Sequence, residues 1–295
     1  MPVVRQHGEL GELSQLRPGA HVCYLIESQD DFEAATRRCL FEGAELGQKL
    51  FRFAPASAIG HERSPAVPER VIRLDPHSDF LGGGALNPHS MFSRFAEQAA
   101  VAQHEGFSGI RVVADMDWLL AHPPSPSELA DFELVLDKVV TDLGATVVCA
   151  YRPGSFGSAT SQALAVHPLY AGTSAQPAFR IWYGGDGGWH LSGVVDMTTE
   201  AAFARALHVA GTTAAVRWIG CTNLTFISAE GIALLSRATA GHDRIRIVDA
   251  PAVLRRCWQA LGLDELQPHV TFADSAGTGV HAGRIPVAHT GGVGR

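Results

Sequence analysis

Two short stretches of this chain place hydroxyl and carboxyl groups where a strand hands over to a helix. In Leu224-Thr-Phe-Ile-Ser-Ala-Glu-Gly231 an apolar strand runs into the polar turn Ser228-Ala229-Glu230, and Gly231 to Ala240 reads as the helix that follows. A helix N-terminus presents unpaired N–H groups and the positive end of the helix dipole. A hydroxyl there caps the helix, and an acidic group or a phosphate is stabilised. Upstream, Leu191-Ser-Gly-Val-Val-Asp196 reads as a second strand ending in an acidic turn. The plain reading of the turn is a capped helix start.

The second stretch is Glu27-Ser-Gln-Asp-Asp31, directly after the apolar run His21 to Ile26. Ser28 is placed to cap a helix over Asp30 to Gly47, with Asp30 and Asp31 in its first turn. A phosphate-binding loop at this position needs glycines, a lysine and a Ser or Thr. The turn has no glycine, no lysine and three carboxylates, which repel a triphosphate. Asp115 and Asp117 end the strand Ile110 to Ala114. Paired carboxylates there either hold magnesium or cap the turn, and capping is the simpler reading. His21, Trp118 and Tyr151, with Glu27, Asp115 and Asp117, are the candidates for a small-molecule pocket at this sheet edge. No metal and no cofactor are expected, because His61, His77, His89, His104 and His122 stand alone in polar loops. Gly154 to Ser158 lacks the Gly-x-Ser-x-Gly elbow of a nucleophile, so no enzyme is expected.

The elements that must position these groups alternate. Strands are expected at His21–Ile26, Lys49–Pro55, Arg70–Leu74, Ile110–Ala114 and Thr146–Tyr151. Helices are expected at Asp30–Gly47, Pro88–Gly106, Ser127–Leu143 and up to Ala165, with a short helix around Leu10–Leu16. This pattern predicts a mainly parallel α/β sheet. After a small polar linker, Phe179–Tyr183 and Trp189–Ser192 flank a Gly-rich turn and read as a hairpin. A helix over Thr199–Ala210, a strand near Ala215–Ile219, the Ser228–Glu230 turn and its helix, a strand at Ile245–Val248 and a helix from Pro251 to Leu261 complete a second α/β unit. The divisions expected are 1–20 as lead-in, 21–172, a linker at 173–178, 179–275, and a disordered tail at 276–295.

A net charge of −7 gives no basic footprint for nucleic acid. No apolar run is long enough to span a membrane, and the N-terminus does not read as a leader, so a cytoplasmic protein is expected. The five cysteines are scattered and never form a C-x-x-C pair, which fits reduced core residues. Of the basic residues only Lys49 and Lys138 are lysine. This is the coding bias of a GC-rich genome, and an actinobacterial source is the expectation.

Gly193 and Asp196 in a Gly-x-x-Asp turn, Phe226-Ile227 before the signature turn, Gly231, and the segment Ala250 to Leu263 together resemble STAS domains, the fold of anti-sigma factor antagonists. In phosphoswitching members the turn reads Asp-Ser-Ser/Thr-Gly, and the first hydroxyl after the Asp accepts phosphate. Here Ser228, Ala229 and Glu230 occupy those positions. The resemblance therefore implies a docking surface at Asp196, Thr225, Ser228, Ala229, Glu230 and Gly231 that lacks its phosphoacceptor, with Ser228 a poor substitute.

His21-Val-Cys-Tyr, Glu27 to Asp31, Phe41-Glu-Gly-x-x-x-Gly47, Asp115-Met-Asp-Trp118, Cys149-Ala-Tyr-Arg152 and His167-Pro168 resemble the MEDS sensory domain. That family is similar to the RecA-like core. The combined expectation is an α/β protein, a RecA-like sensory domain followed by a small STAS domain. It would be a regulator whose partner is an anti-sigma factor, a switch-type kinase or another signalling protein, with a small-molecule ligand and homo-oligomerisation also open. The alternatives are a RecA-like nucleotide-binding protein or ATPase, and a scaffold that senses nothing.

Overall fold

The computed structural model describes residues 5–55, 68, 70–82, 84–172, 177–185, 187–213 and 216–275. The expected tail at 276–295, most of the expected linker (173–176) and His61 lie outside the described residues.

The first part is a parallel sheet of seven strands: β1 (Gly8–Leu10), β2 (His21–Leu25), β3 (Lys49–Phe53), β4 (Val71–Leu74), β5 (Ile110–Asp115), β6 (Thr146–Tyr151) and β7 (Leu169–Ala171). Their spatial order is β1-β7-β2-β6-β5-β3-β4. β2, β3, β5 and β6 are buried along their whole length. Such strands read as short continuous apolar runs because helices cover both faces of a parallel sheet. The intervening helices are α1 (Gln29–Glu45), α2 (Pro76–Asp79), α3 (Pro88–His104), α4 (Pro126–Leu143) and α5 (Ser158–Ala165). This is the mainly parallel α/β architecture expected, and it fits a RecA-like core.

Local chemistry sets the boundaries. Ser28 caps α1, its side chain accepting from Asp31 N, and Asn87 caps α3 with Pro88 at the first helical position. α4 opens with a capping box between Ser125 and Glu128 and stops at Gly144, which is left-handed. In the Phe41-Glu-Gly motif, Glu42 pairs with the fully buried Arg111 at 2.6 Å. A Cβ on Gly43 would sit 2.7 Å from the Arg111 side chain, so the glycine leaves room for that cation.

The second part is a five-stranded sheet in the order β12-β11-β10-β9-β8. β8 (Phe179–Gly185) and β9 (Gly188–Val195) form the expected antiparallel hairpin; β9, β10 (Trp218–Ile227), β11 (Ile245–Val248) and β12 (Val270–Ala273) run parallel. Helices α6 (Glu200–Thr213), α7 (Ala229–Thr239), α8 (Ala252–Ala260) and the short α9 (Leu263–Leu266) complete it.

The chain departs from expectation in several places. Residues 10–16 form no helix: β1 pairs with β7, and Leu10, Leu13 and Leu16 are buried. Their spacing of three imitates a helical stripe, but the open edge of β7 offers better backbone partners than a helix broken by glycine. The strand expected to end at Ile219 runs on to Ile227, with register shifts after Gly220 and Leu224. β7, β12 and α2 are too short to show as patterns, and Met116–Ala121 is a 3-10 helix.

The two sheets share a core. Leu129, Phe132, Leu136 and Val140 of α4 belong to the first-sheet cluster, while Leu134 lies in the cluster of the second sheet with Ala165, Val166, Tyr183 and Trp189. α4 is thus buried between the two sheets rather than on a surface.

Candidate functional site

β2 alternates as a strand must. Val22, Tyr24 and Ile26 face α1, whereas His21, Cys23 and Leu25 face α4. β6 sends Val147, Cys149 and Tyr151 to that same α4 side. Across from them α4 presents Glu133 and Asp137, one helical turn apart, and His167 enters from the segment after α5. All are fully buried.

One carboxylate oxygen centres the cluster. Glu133 Oε2 lies 3.2 Å from His21 Nε2, 3.4 Å from His167 Nε2 and 3.5 Å from Cys149 Sγ. Cys149 Sγ is also 3.5 Å from His21 Nε2. The other Glu133 oxygen accepts from the Tyr151 hydroxyl. His21 Nδ1 faces Asp137 Oδ1 at 3.2 Å, and His167 Nδ1 lies 2.6 Å from the Ala163 carbonyl. Asp137 also accepts from Arg5 and from the backbone N–H of Tyr183 at 2.7 Å. Arg5 in turn donates to the carbonyls of Tyr183 and Gly19.

Burial alone would push both carboxyls up, because a charge loses its hydration. His167 and His21 outweigh that for Glu133 and hold it far below the usual carboxylate range. Arg5 and then His21 hold Asp137 down at about 2. Burial works against charge on His21, but Asp137 and Glu133 reverse it and raise the ring above its ordinary value. His167 goes the other way, lowered by burial and by the charge on His21. Burial, then Glu133, drives the Cys149 thiol and the Tyr151 phenol well up.

The six residues expected to line one pocket do not converge. His21 and Tyr151 belong to the buried cluster. Asp115 and Asp117 sit at the carboxyl edge of β5, where each accepts from Arg152 Nη1 at 2.7 Å, and Asp115 also caps the 3-10 turn. The Arg152 guanidinium thus bridges the two carboxylates, and Gln29 at the start of α1 accepts from its other arm at 2.8 Å. Trp118 is core, beside a void of about 20 Å³ lined by apolar groups including Phe53, Met91 and Phe132. Glu27 is exposed. Of the histidines expected in solvent, His77 is half-buried and its ring lies 5.1 Å from that of His122.

In the second part Ser228 caps α7, accepting from Gly231 N at 3.0 Å, and its hydroxyl donates to Glu200 at 2.6 Å. A phosphate on Ser228 would face that carboxylate. Ala229 and Glu230 are exposed, and Glu230 pairs with Arg237. Asp196 caps the opposing turn through Thr198. Thr225 donates to the Gly193 carbonyl. A Cβ on Gly231 would crowd Ile227 and Val195, so the glycine lets α7 start against the strand ends. Met197 (84% exposed) and Phe226 (45%) leave an apolar face beside this turn.

The fold and cluster define an α/β module with a buried polar centre and a carboxyl edge at which Arg152 pairs with Asp115 and Asp117. Residues 20–168, half of the chain, match the family model described as "MEthanogen/methylotroph, DcmR Sensory domain", abbreviated MEDS; the chain belongs to that family. The match ends before the second sheet. No curated protein matches the chain.

Sequence reasoning missed Glu133, Asp137, Cys149, His167 and Arg5 as members of one site. A signal existed for the carboxylates. They fall at the i, i+4 positions of the stripe that carries Leu129, Phe132, Leu136 and Val140, where a solvated acid does not belong. Nothing local marks Arg5 or His167 as their partners.

Proposed function

We propose that this chain is a signalling regulator in which the MEDS part receives an input and the second sheet passes it to a protein partner. Asp137 carries this reading. One carboxylate holds His21 of the first sheet and the Tyr183 N–H of β8, so a change at the buried cluster reaches the second sheet through one side chain. A ligand alters the output only through different affinities for two arrangements of this joint.

The output surface is the turn pair at Asp196 and Ser228–Gly231, with Met197 and Phe226 as its apolar anchors. An anti-sigma factor or a switch-type kinase is the partner class that the STAS likeness implies. Control would come from the MEDS part, since Ala229 offers no hydroxyl and Ser228 is engaged by Glu200. No helix among the described residues is long and apolar enough to cross a membrane, and a cytoplasmic setting fits such a partner.

The test is a pull-down from the native host with the full chain and with Met197→Asp/Phe226→Asp. A signalling partner retained by the first and lost by the second supports the proposal; identical captures count against this surface. Titration with ATP and magnesium addresses the nucleotide-binding reading, and no heat of binding is expected because the turn at 27–31 is acidic and Arg152 fills the carboxylate pair.

A further inference from the structure

We propose that His21, Glu133, Cys149 and His167 form a closed tetrahedral site for one zinc ion, clipping β2, α4, β6 and the segment before β7 together. The four donor atoms lie within 4.8 Å of one another and all four side chains are fully buried. With Zn–N and Zn–O near 2.0–2.1 Å and Zn–S near 2.3 Å, tetrahedral geometry places neighbouring donors about 3.3 Å apart for N and O, and about 3.5 Å when sulfur is one of the pair. Of the six donor pairs, the two nitrogen–oxygen pairs are 3.2 and 3.4 Å apart and Cys149 Sγ lies 3.5 Å from both His21 Nε2 and Glu133 Oε2, while His167 Nε2 lies within 4.8 Å of His21 Nε2 and of the sulfur.

Hydrogen bonding alone accounts poorly for this packing. Good N–H···O bonds run at about 2.9 Å, and a separation near 3.4 Å is slack. His167 directs Nδ1 at the Ala163 carbonyl, so the ring proton belongs there and Nε2 is a bare lone pair. That buried nitrogen has no hydrogen-bond partner, yet it points at the Glu133 carboxylate. Two acceptors facing each other in a dry interior call for a cation between them. His21 is arranged the same way, with Nδ1 on Asp137 and Nε2 turned inward. A carboxylate behind one ligating imidazole and a carbonyl behind the other are the supports that orient metal-bound histidines.

The charges also balance. A zinc dication and the Arg5 guanidinium match the Cys149 thiolate, Glu133 and Asp137, with both rings neutral. Loading expels the Cys149 thiol proton and any proton on His21 Nε2, and it changes no oxidation state. Two imidazoles and a thiolate favour zinc over the hard cations. The site offers no open position, so its role is structural, and loading accompanies folding. This inference does not depend on the identity of the docking partner.

The experiment uses the full chain. Elemental analysis of the purified protein is expected to give about one zinc per chain. After unfolding with chelator and refolding with cobalt, the expected spectrum is that of tetrahedral cobalt with a thiolate charge-transfer band. Cys149→Ser is expected to lose that band and to bind metal at least ~10–100-fold more weakly, while Cys257→Ser, in the second part, keeps both. Should Cys149→Ser fail to fold, His167→Gln supplies the same comparison through stoichiometry. The proposal is overturned if the wild-type chain purifies without zinc and refolds without taking up zinc or cobalt. Retention of the charge-transfer band in Cys149→Ser overturns it equally.

Discussion

Asp137 and Tyr183 tie the two sheets together: the Asp137 carboxylate accepts the Tyr183 backbone N–H at 2.7 Å from a fully buried position on α4. The same carboxylate receives Arg5 and His21, so three donors from three separate segments meet on it. Such a group is costly to bury and costlier to remove, because its partners are left charged in a dry interior. Asp137→Ala is therefore expected to lower unfolding stability by about 3–5 kcal/mol. Denaturant titration gives the loss, and amide exchange along β8 should rise with it. Unchanged β8 protection would show that the joint does not run through this residue.

Gly188 and Trp218 make a second close pairing. A Cβ on Gly188 would lie 1.7 Å from the Trp218 ring, and Gly184 is held to small size by the same ring. Gly188→Ala must displace the indole from β10 and is expected to cost about 2–3 kcal/mol. Thermal unfolding followed by tryptophan fluorescence reads both the loss and the displaced ring.

Ser228 and Glu200 share a proton-donating contact of 2.6 Å at the start of α7. Ser228→Ala is expected to cost about 1 kcal/mol as a lost cap. Ser228→Asp, a mimic of the phosphorylated state, should be worse beside Glu200 than in a Glu200→Gln background. A coupling of about 1 kcal/mol in that double-mutant cycle is expected. A coupling near zero would mean that Glu200 does not guard the hydroxyl.

His190 lies between Trp182 and Trp218, with His7 stacked on the far side of the group. Burial first, then the charges of His7 and Arg5, lower its pKa to about 4, with Asp137 opposing. The ring is thus neutral in the fold and takes up its proton more readily in the unfolded chain. Its stabilising share is complete above pH 6.5 and is lost as pH falls toward 4, reaching roughly 2–3 kcal/mol. His7 is lowered too, by burial and then Arg180, and acts in the same direction. His190→Phe should flatten stability against pH between 6.5 and 4; an equal slope in variant and wild type would remove His190 from the account.

Much of the architecture was legible along the chain. Continuous apolar runs bounded by Ser28, Pro88, Pro126 and Gly144 mark strands and helices because caps and burial act locally, within a few residues. The motifs that resembled the MEDS domain also proved physically connected: His21, Cys149 and His167 meet at one centre, and Glu42 with Gly43 houses Arg111. The expected pocket failed for a different reason. His21 and Asp115 both lie on strands of one sheet, but they occupy opposite ends of their strands, and no pattern in either segment states that distance.

By itself the sequence determined the alternation of strands and helices, the three carboxylates of the turn at 27–31, and the Ser228-Ala229-Glu230 turn at a helix start. These follow from residue type and near neighbours. Only the tertiary structure decided that α4 is buried on two sides and that Glu133 faces two histidines and a thiol. It also decided that Arg5 crosses to Asp137 and Tyr183, and that Arg152 closes the Asp115 and Asp117 edge. Each of these unites groups far apart in the chain, and such pairings are set by how whole elements pack, where the cost of burying a charge selects the partner that neutralises it.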